Sequence, residues 1–147
     1  MKLTTVTVWA LGLCLSQTPV WAAEDAGMVK TSKGQASIER SGQKLAATVG
    51  TRIFASDRVV TGADGSVGIT LRDNTLLSAG PNSTVDLNKF AFNSTTHAGA
   101  IDATVKRGTL SVVSGKIAKA TPEAVSFSAP GMTLGVRGTS FVIDAGQ

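Results

Sequence analysis

From residue 24 onward, apolar and polar positions alternate in short runs, and no apolar stripe recurs at helical spacing. Ala36 and Ile38 alternate with Ser37 and Glu39 before a turn at Ser41-Gly42. Val67, Ile69 and Leu71 alternate with Gly68, Thr70 and Arg72, between the turn pairs Asp64-Gly65 and Asp73-Asn74. Val85 and Leu87 follow Pro81-Asn82-Ser83, and Val125 and Phe127 precede Ala129-Pro130-Gly131. Leu134 and Val136 come next, then Phe141 and Ile143. A period of two sets each apolar group on one side of a strand. Turns about every ten positions are the pattern of an all-β sandwich, barrel or solenoid. Small polar turns open the apolar runs at Gly65-Ser66-Val67, Asn74-Thr75-Leu76 and Asn82-Ser83-Thr84-Val85. That spacing suits a solenoid-like β-roll of short stacked strands, and a plain meander nearly as well. Val67, Ile69, Leu71, Leu76, Val85, Leu87, Phe127, Leu134, Val136 and Phe141 are expected to share one interior. Residues 93–104, poor in large apolar side chains, read as an exposed loop.

A second echo spans thirty residues: Lys106-Arg107-Gly108-Thr109-Leu110 and Val136-Arg137-Gly138-Thr139-Ser140. The apolar parity switches across each, from Val105 to Leu110 and Val112, and from Leu134 and Val136 to Phe141 and Ile143. A strict period of two cannot keep both sets inside. The chain is expected to turn a corner or insert a bulge there, with Gly108 and Gly138 as hinges and Thr109 and Thr139 just beyond. At the second corner Arg137 is expected to fold onto backbone carbonyls or onto a carboxylate of an earlier strand, Asp57 or Asp73 first among them. Arg107 reads about as well as an Arg facing solvent.

The first residues belong to another pattern. Met1-Lys2 precede Val6, Val8, Trp9, Leu11, Leu13 and Leu15, and Val20-Trp21-Ala22 close the stretch. A basic start, a short apolar run and small residues at the end are the pattern of a cleaved signal peptide, residues 1–22, with one β domain at residues 23–147. The apolar run is shorter than the ~20 residues of a membrane helix, so no membrane span is expected in the mature chain. With 16% charged residues and 16 Gly among 147 residues, the composition favours strands over helices. The single Cys, Cys14, lies inside the leader, so no disulfide framework or thiol chemistry is expected afterwards. The formal charge of +4 includes no basic run interleaved with aromatic residues, and nucleic-acid binding has no support.

Catalytic chemistry finds no foothold either. His97 is the only His and has no nucleophile motif around it. One His without Cys cannot furnish an ordinary zinc site, and Asp57, Asp64, Asp73 and Asp86 form no dense acidic loop for Ca²⁺. Ser114-Gly115-Lys116 lacks the first glycine of a phosphate loop, since Leu110 stands in its place. A non-enzyme with no metal and no cofactor is the expectation.

Several segments together resemble the FecR domain, named for a periplasmic regulator of iron-citrate uptake in bacteria. They are Gly34-Gln35-Ala36-Ser37-Ile38-Glu39-Arg40, Ile53-Phe54-Ala55-Ser56-Asp57-Arg58-Val59, Leu71-Arg72-Asp73-Asn74-Thr75-Leu76, Gly80-Pro81-Asn82-Ser83 and Gly131-Met132-Thr133-Leu134-Gly135-Val136-Arg137-Gly138-Thr139. The resemblance implies a solenoid-like all-β module in the bacterial envelope. That regulator also has a cytoplasmic segment acting on a sigma factor, a membrane helix and a C-terminal region that meets an outer-membrane receptor. No counterpart of these is expected in this sequence. The resulting expectation is a periplasmic or secreted binding or assembly module whose partner is a protein or an envelope polymer. The alternative is a reduced component of a cell-surface signalling system, acting in trans without its own anti-sigma segment.

Trp9 and Trp21 both precede the cleavage expected after Ala22. Protein recovered from the periplasm should therefore begin at Ala23 and absorb almost nothing at tryptophan wavelengths. Intact-mass measurement checks this, and retained Trp in the exported form would remove the leader.

Overall fold

Nearly every alternating segment becomes a strand, and the strands sort into two sheets. The computed structural model describes residues 24–136 and 140–146. In chain order the strands are β1 (Gly27–Lys33), β2 (Ala36–Arg40), β3 (Gln43–Ala46), β4 (Arg52–Ile53), β5 (Arg58–Thr61), β6 (Ser66–Leu71) and β7 (Leu76–Ala79). They continue with β8 (Thr84–Phe92), β9 (Gly99–Arg107), β10 (Thr109–Val113), β11 (Val125–Ala129), β12 (Met132–Gly135) and β13 (Ser140–Asp144). One sheet has six strands in the order β13-β10-β7-β6-β1-β4, and the other seven in the order β12-β11-β9-β8-β5-β2-β3.

The chain passes back and forth between the sheets, so each contributes one apolar face to a common core. Val29, Val67, Ile69, Leu71, Leu77, Leu110, Val112 and Ile143 come from the six-stranded sheet. Ile38, Val59, Val85, Leu87, Ile101, Val105, Val125 and Phe127 come from the seven-stranded one. Both are buried, as expected for a sandwich whose inner faces interdigitate. Packing is close, leaving an apolar void of only about 20 Å³ between Ile53, Val59, Ile69, Leu77, Val85 and Leu110.

Several expectations need correction. In a roll of stacked rungs each strand would pair in parallel with its counterpart one coil on. Here the strand pairings are antiparallel apart from β9 with β11, and the result is two facing sheets. Leu76 is 44% exposed, and Leu77 takes the interior place. The inward parity of this hairpin is carried through its turn by buried Asp73 and Thr75, which an apolar count overlooks. Leu134 and Phe141 are only partly buried, although the Phe141 ring meets Phe127 edge-on at 5.4 Å. A short helix, α1 (Lys116–Ala120), and a 3₁₀ turn (Pro122–Ala124) interrupt the strands. Five residues are too few to display a helical period. Residues 99–104 of the expected loop belong to β9, where small side chains such as Ala103 fit into the core instead of marking a loop.

The expected leader, residues 1–22, and the corner residues Arg137, Gly138 and Thr139 lie outside the described residues. No helix among the described residues is long and apolar enough to cross a membrane.

Phe127 is 1% exposed, so Phe127→Ala should cost about 3–5 kcal/mol in reversible urea unfolding. Phe141→Ala, at a partly exposed ring, should cost clearly less. Equal losses would contradict this packing order.

Candidate functional site

Where the chain changes sheets, its backbone polar groups would be stranded at the rim of the core, and short polar side chains meet them. Thr61 closes β5, and its hydroxyl donates to the Gly80 carbonyl at 2.6 Å and accepts the Ser83 N–H at 2.9 Å. Ser83 is fully buried and its Oγ accepts the Thr109 N–H at 2.9 Å. Between Ser83 and Thr109 stands Gly108, the residue at which the chain leaves β9 for β10. Its φ is +78°, and a Cβ there would collide with the Ser83 side chain, so only glycine fits. Three neighbouring crossings are thus pinned together at Thr61, Ser83 and Gly108. Arg107 is exposed at the end of β9. The parity switch after Val105 has two sources: this change of sheet, and a bulge that skips Lys106 between the Thr84–Arg107 and Val85–Val105 pairs.

Asp57 and Asp73 are both buried, and each has its own partners. Asp57 takes the guanidinium of Arg40 in a two-pronged grip, Nε to Oδ1 at 2.8 Å and Nη2 to Oδ2 at 2.7 Å. It also accepts the Phe54 N–H at 2.9 Å. Arg40 donates further to the Arg52 carbonyl at 3.0 Å and lies over the Phe54 ring at 4.5 Å. The hydrogen bond to Asp57 raises the Arg40 pKa above its usual value, against an opposing effect of burial. Asp73 instead accepts the Thr75 hydroxyl at 2.7 Å and N–H at 3.1 Å, and the Ile117 N–H at 3.2 Å. It therefore ties the β6–β7 hairpin to the start of α1. Among the described residues these are the partners of the two carboxylates expected for Arg137, which itself lies outside them.

The surface these corners support is the outer face of the seven-stranded sheet. One outward side chain from every strand falls in a single row: Lys44, Glu39, Arg58, Asp86, Thr104, Ser128 and Thr133. Charges alternate over the first four positions, and hydroxyls occupy the last three. Arg58 grips Asp86 through Nε at 2.7 Å and Nη2 at 3.2 Å, and Lys106, freed by the bulge, approaches the same carboxylate at 3.5 Å. The bond to Asp86 raises the Arg58 pKa further above its usual value. A second bulge between Leu87 and Lys89 turns Asn88 outward, and its amide donates to Thr104 Oγ1 at 2.8 Å and Asp102 Oδ1 at 3.3 Å. A shallow cavity of about 550 Å³ opens beside Glu39, Gln43, Lys44, Arg58, Asp86 and Asn88. Such a face offers fixed donors and acceptors to an extended polar partner.

Among the described residues, no three His, Cys, Asp or Glu side chains cluster as metal ligands would. His97 lies in the tip between β8 and β9, at φ +62°, stacked on Phe92 with ring centres 6.2 Å apart. The polar row was missed in the sequence because register joins its members. Alternation does mark Glu39 as outward, between inward Ile38 and the turn, but not which residues stand beside it.

Among the described residues, Arg40→Ala leaves the buried Asp57 carboxylate with the Phe54 N–H as its side-chain hydrogen-bond partner. Since Arg40 is itself a third exposed, the loss should be about 1–3 kcal/mol in urea unfolding. Arg40→Lys should recover little of it, because an ammonium cannot span both oxygens.

The comparisons with curated proteins and with solved structures return no match. A family model described as FecR protein matches residues 57–147, more than half of the chain. That span opens at Asp57, takes in Asp73, Ser83 and Gly108, and covers the five strands from β8 to β12 and the neighbours they pair with. Strands β1 to β4 precede it yet pair into both sheets, with β1 beside β6 and β2 beside β5. With the matched residues forming most of both sheets and the corners between them, this chain belongs to the FecR protein family.

Proposed function

We propose that this protein is an exported, non-enzymatic binding or assembly module of the bacterial periplasm or envelope. It contacts a protein or an envelope polymer through the outer face of the seven-stranded sheet. The observation that carries this reading is the row from Lys44 to Thr133, a polar line crossing all seven strands on a rigid support. Arg58 with Asp86, Asn88 with Thr104 and Ser128 with Thr133 are paired across strands, so a partner meets donors and acceptors much of whose conformational freedom is already spent. A partner extended along the row fits this surface better than a small molecule, since the cavity beside it is shallow and open. Membership of the FecR family favours a second reading, a component of a cell-surface signalling system that acts in trans.

Lys44 and Thr133 stand at the two ends of the row and are exposed, so charge changes there should leave the fold within about 0.5 kcal/mol of the parent. Co-sedimentation with isolated cell wall, and recovery of a crosslinked partner from envelope extract, should both fall in Lys44→Glu and Thr133→Lys. Ser78→Lys, on the outer face of the other sheet, should change neither. Retention unaffected by the two end variants would remove this face from the reading. Altered transport-gene expression on deletion, with no retained partner, would favour signalling.

A further inference from the structure

Among the described residues four strands end the two sheets: β4 and β13 in one, β3 and β12 in the other. An open edge is a template for another chain, and proteins blunt it with short strands, lysine, proline or bulges. Three of these edges are blunted. β4 has two residues and begins at Arg52, β3 carries Lys44, and β12 is four residues ending in Gly135. β13 differs. It is Ser140-Phe141-Val142-Ile143-Asp144, unbroken in its register with β10, without lysine, proline or bulge.

Exposed apolar side chains gather beside the same edge. Val142 on β13 is 68% exposed, and Val113 and Leu76, paired across β10 and β7, are 43% and 44% exposed. Ser78, Ser111 and Ser140 lie among them, and Asp144 at the end of β13 is the one charge on this part of the outer face. We infer that the β13 edge pairs with β13 of a second copy of this chain, joining the two six-stranded sheets into one. This concerns the sheet opposite the polar row and does not rest on the reading given for that row.

The chemistry of the edge selects a second copy. The Ala145 N–H donates to the Gly108 carbonyl at 2.8 Å. By the alternation of antiparallel bonds, Ile143 and Phe141 then face β10, and the backbone groups of Ser140, Val142 and Asp144 face the open side. A two-fold antiparallel register centred on Val142 sets Val142 against itself, and Ser140 against Asp144 of the second copy. About six backbone hydrogen bonds close, and no like charges meet. Asp144, the only charge on the strand, faces a serine. The two Val142 side chains meet on the outer face, each diagonal to Val113 of its own sheet. The edge is only about 17 Å long, so the contact lies below the ~800 Å² per partner of a permanent dimer and is reversible.

Sedimentation equilibrium of the purified protein, from micromolar to near-millimolar concentration, should show a monomer–dimer equilibrium. Val142→Lys should weaken it about tenfold or more while leaving the melting curve unchanged. Val49→Lys, at another exposed apolar position, should not weaken it. In the parent protein the amides of Ser140, Val142 and Asp144 should gain hydrogen-exchange protection as concentration rises. A monomer throughout the range would overturn the inference. So would a dimer that tolerates Val142→Lys and leaves those amides unprotected.

Discussion

A chain that passes repeatedly between two facing sheets must carry its backbone across the rim of an apolar core, and each crossing risks leaving amide groups without partners. Meeting those groups is the constraint on which the fold rests. Buried hydroxyls and carboxylates do it, Thr61 and Ser83 at one set of crossings and Asp57 ahead of β5, and Asp73 with Thr75 does the same within the β6–β7 hairpin turn. Among the described residues, no buried side-chain polar atom lacks a hydrogen-bond partner. An unmet buried group costs about 1–3 kcal/mol, so each corner bond weighs about as much as a well-packed methyl pair in the core.

The corners also orient the faces. Asp57 fixes Arg40 at the end of β2 and through it the approach of β4, while Phe54 caps the guanidinium from above. Asp73 holds α1 against the β6–β7 hairpin, and the Thr121 hydroxyl beyond the helix bonds the Gly99 carbonyl at the start of β9. The bulges at Lys106 and Asn88 then set which polar side chains stand on the outer face. The surface row is thus a consequence of decisions made at the rim.

The two outer faces have contrasting chemistry. One is a ladder of charges and hydroxyls, already paired across strands and suited to a polar partner. The other carries serine, threonine and glycine in its middle strands, Arg52 and Met28 towards β4, and an apolar group beside β13.

How much of this was legible in the sequence depends on the range of the forces involved. Alternation is local, so Val67, Ile69, Leu71, Val85, Leu87 and Phe127 could be assigned to the interior from their neighbours alone. The parity break around Gly108 was legible for the same reason, and the family motifs around Asp57 and Gly80-Pro81-Asn82-Ser83 identified the family. Leu76 was misplaced because buried Asp73 and Thr75, not apolar residues, carry the inward parity there. Their burial is favourable only once Ile117 and Gly115, some forty residues on, supply donors or need acceptors. The β-roll expectation shared this weakness: turns at even spacing define strand starts, but whether a strand pairs parallel or antiparallel is decided by long-range hydrogen bonds. Arg40 with Asp57, and the row from Lys44 to Thr133, are likewise products of register. Which residues lie in strands, and which of their faces is apolar, is encoded within a few positions. Which strands become neighbours, and so which side chains share a surface, was decided only when the whole chain closed its core.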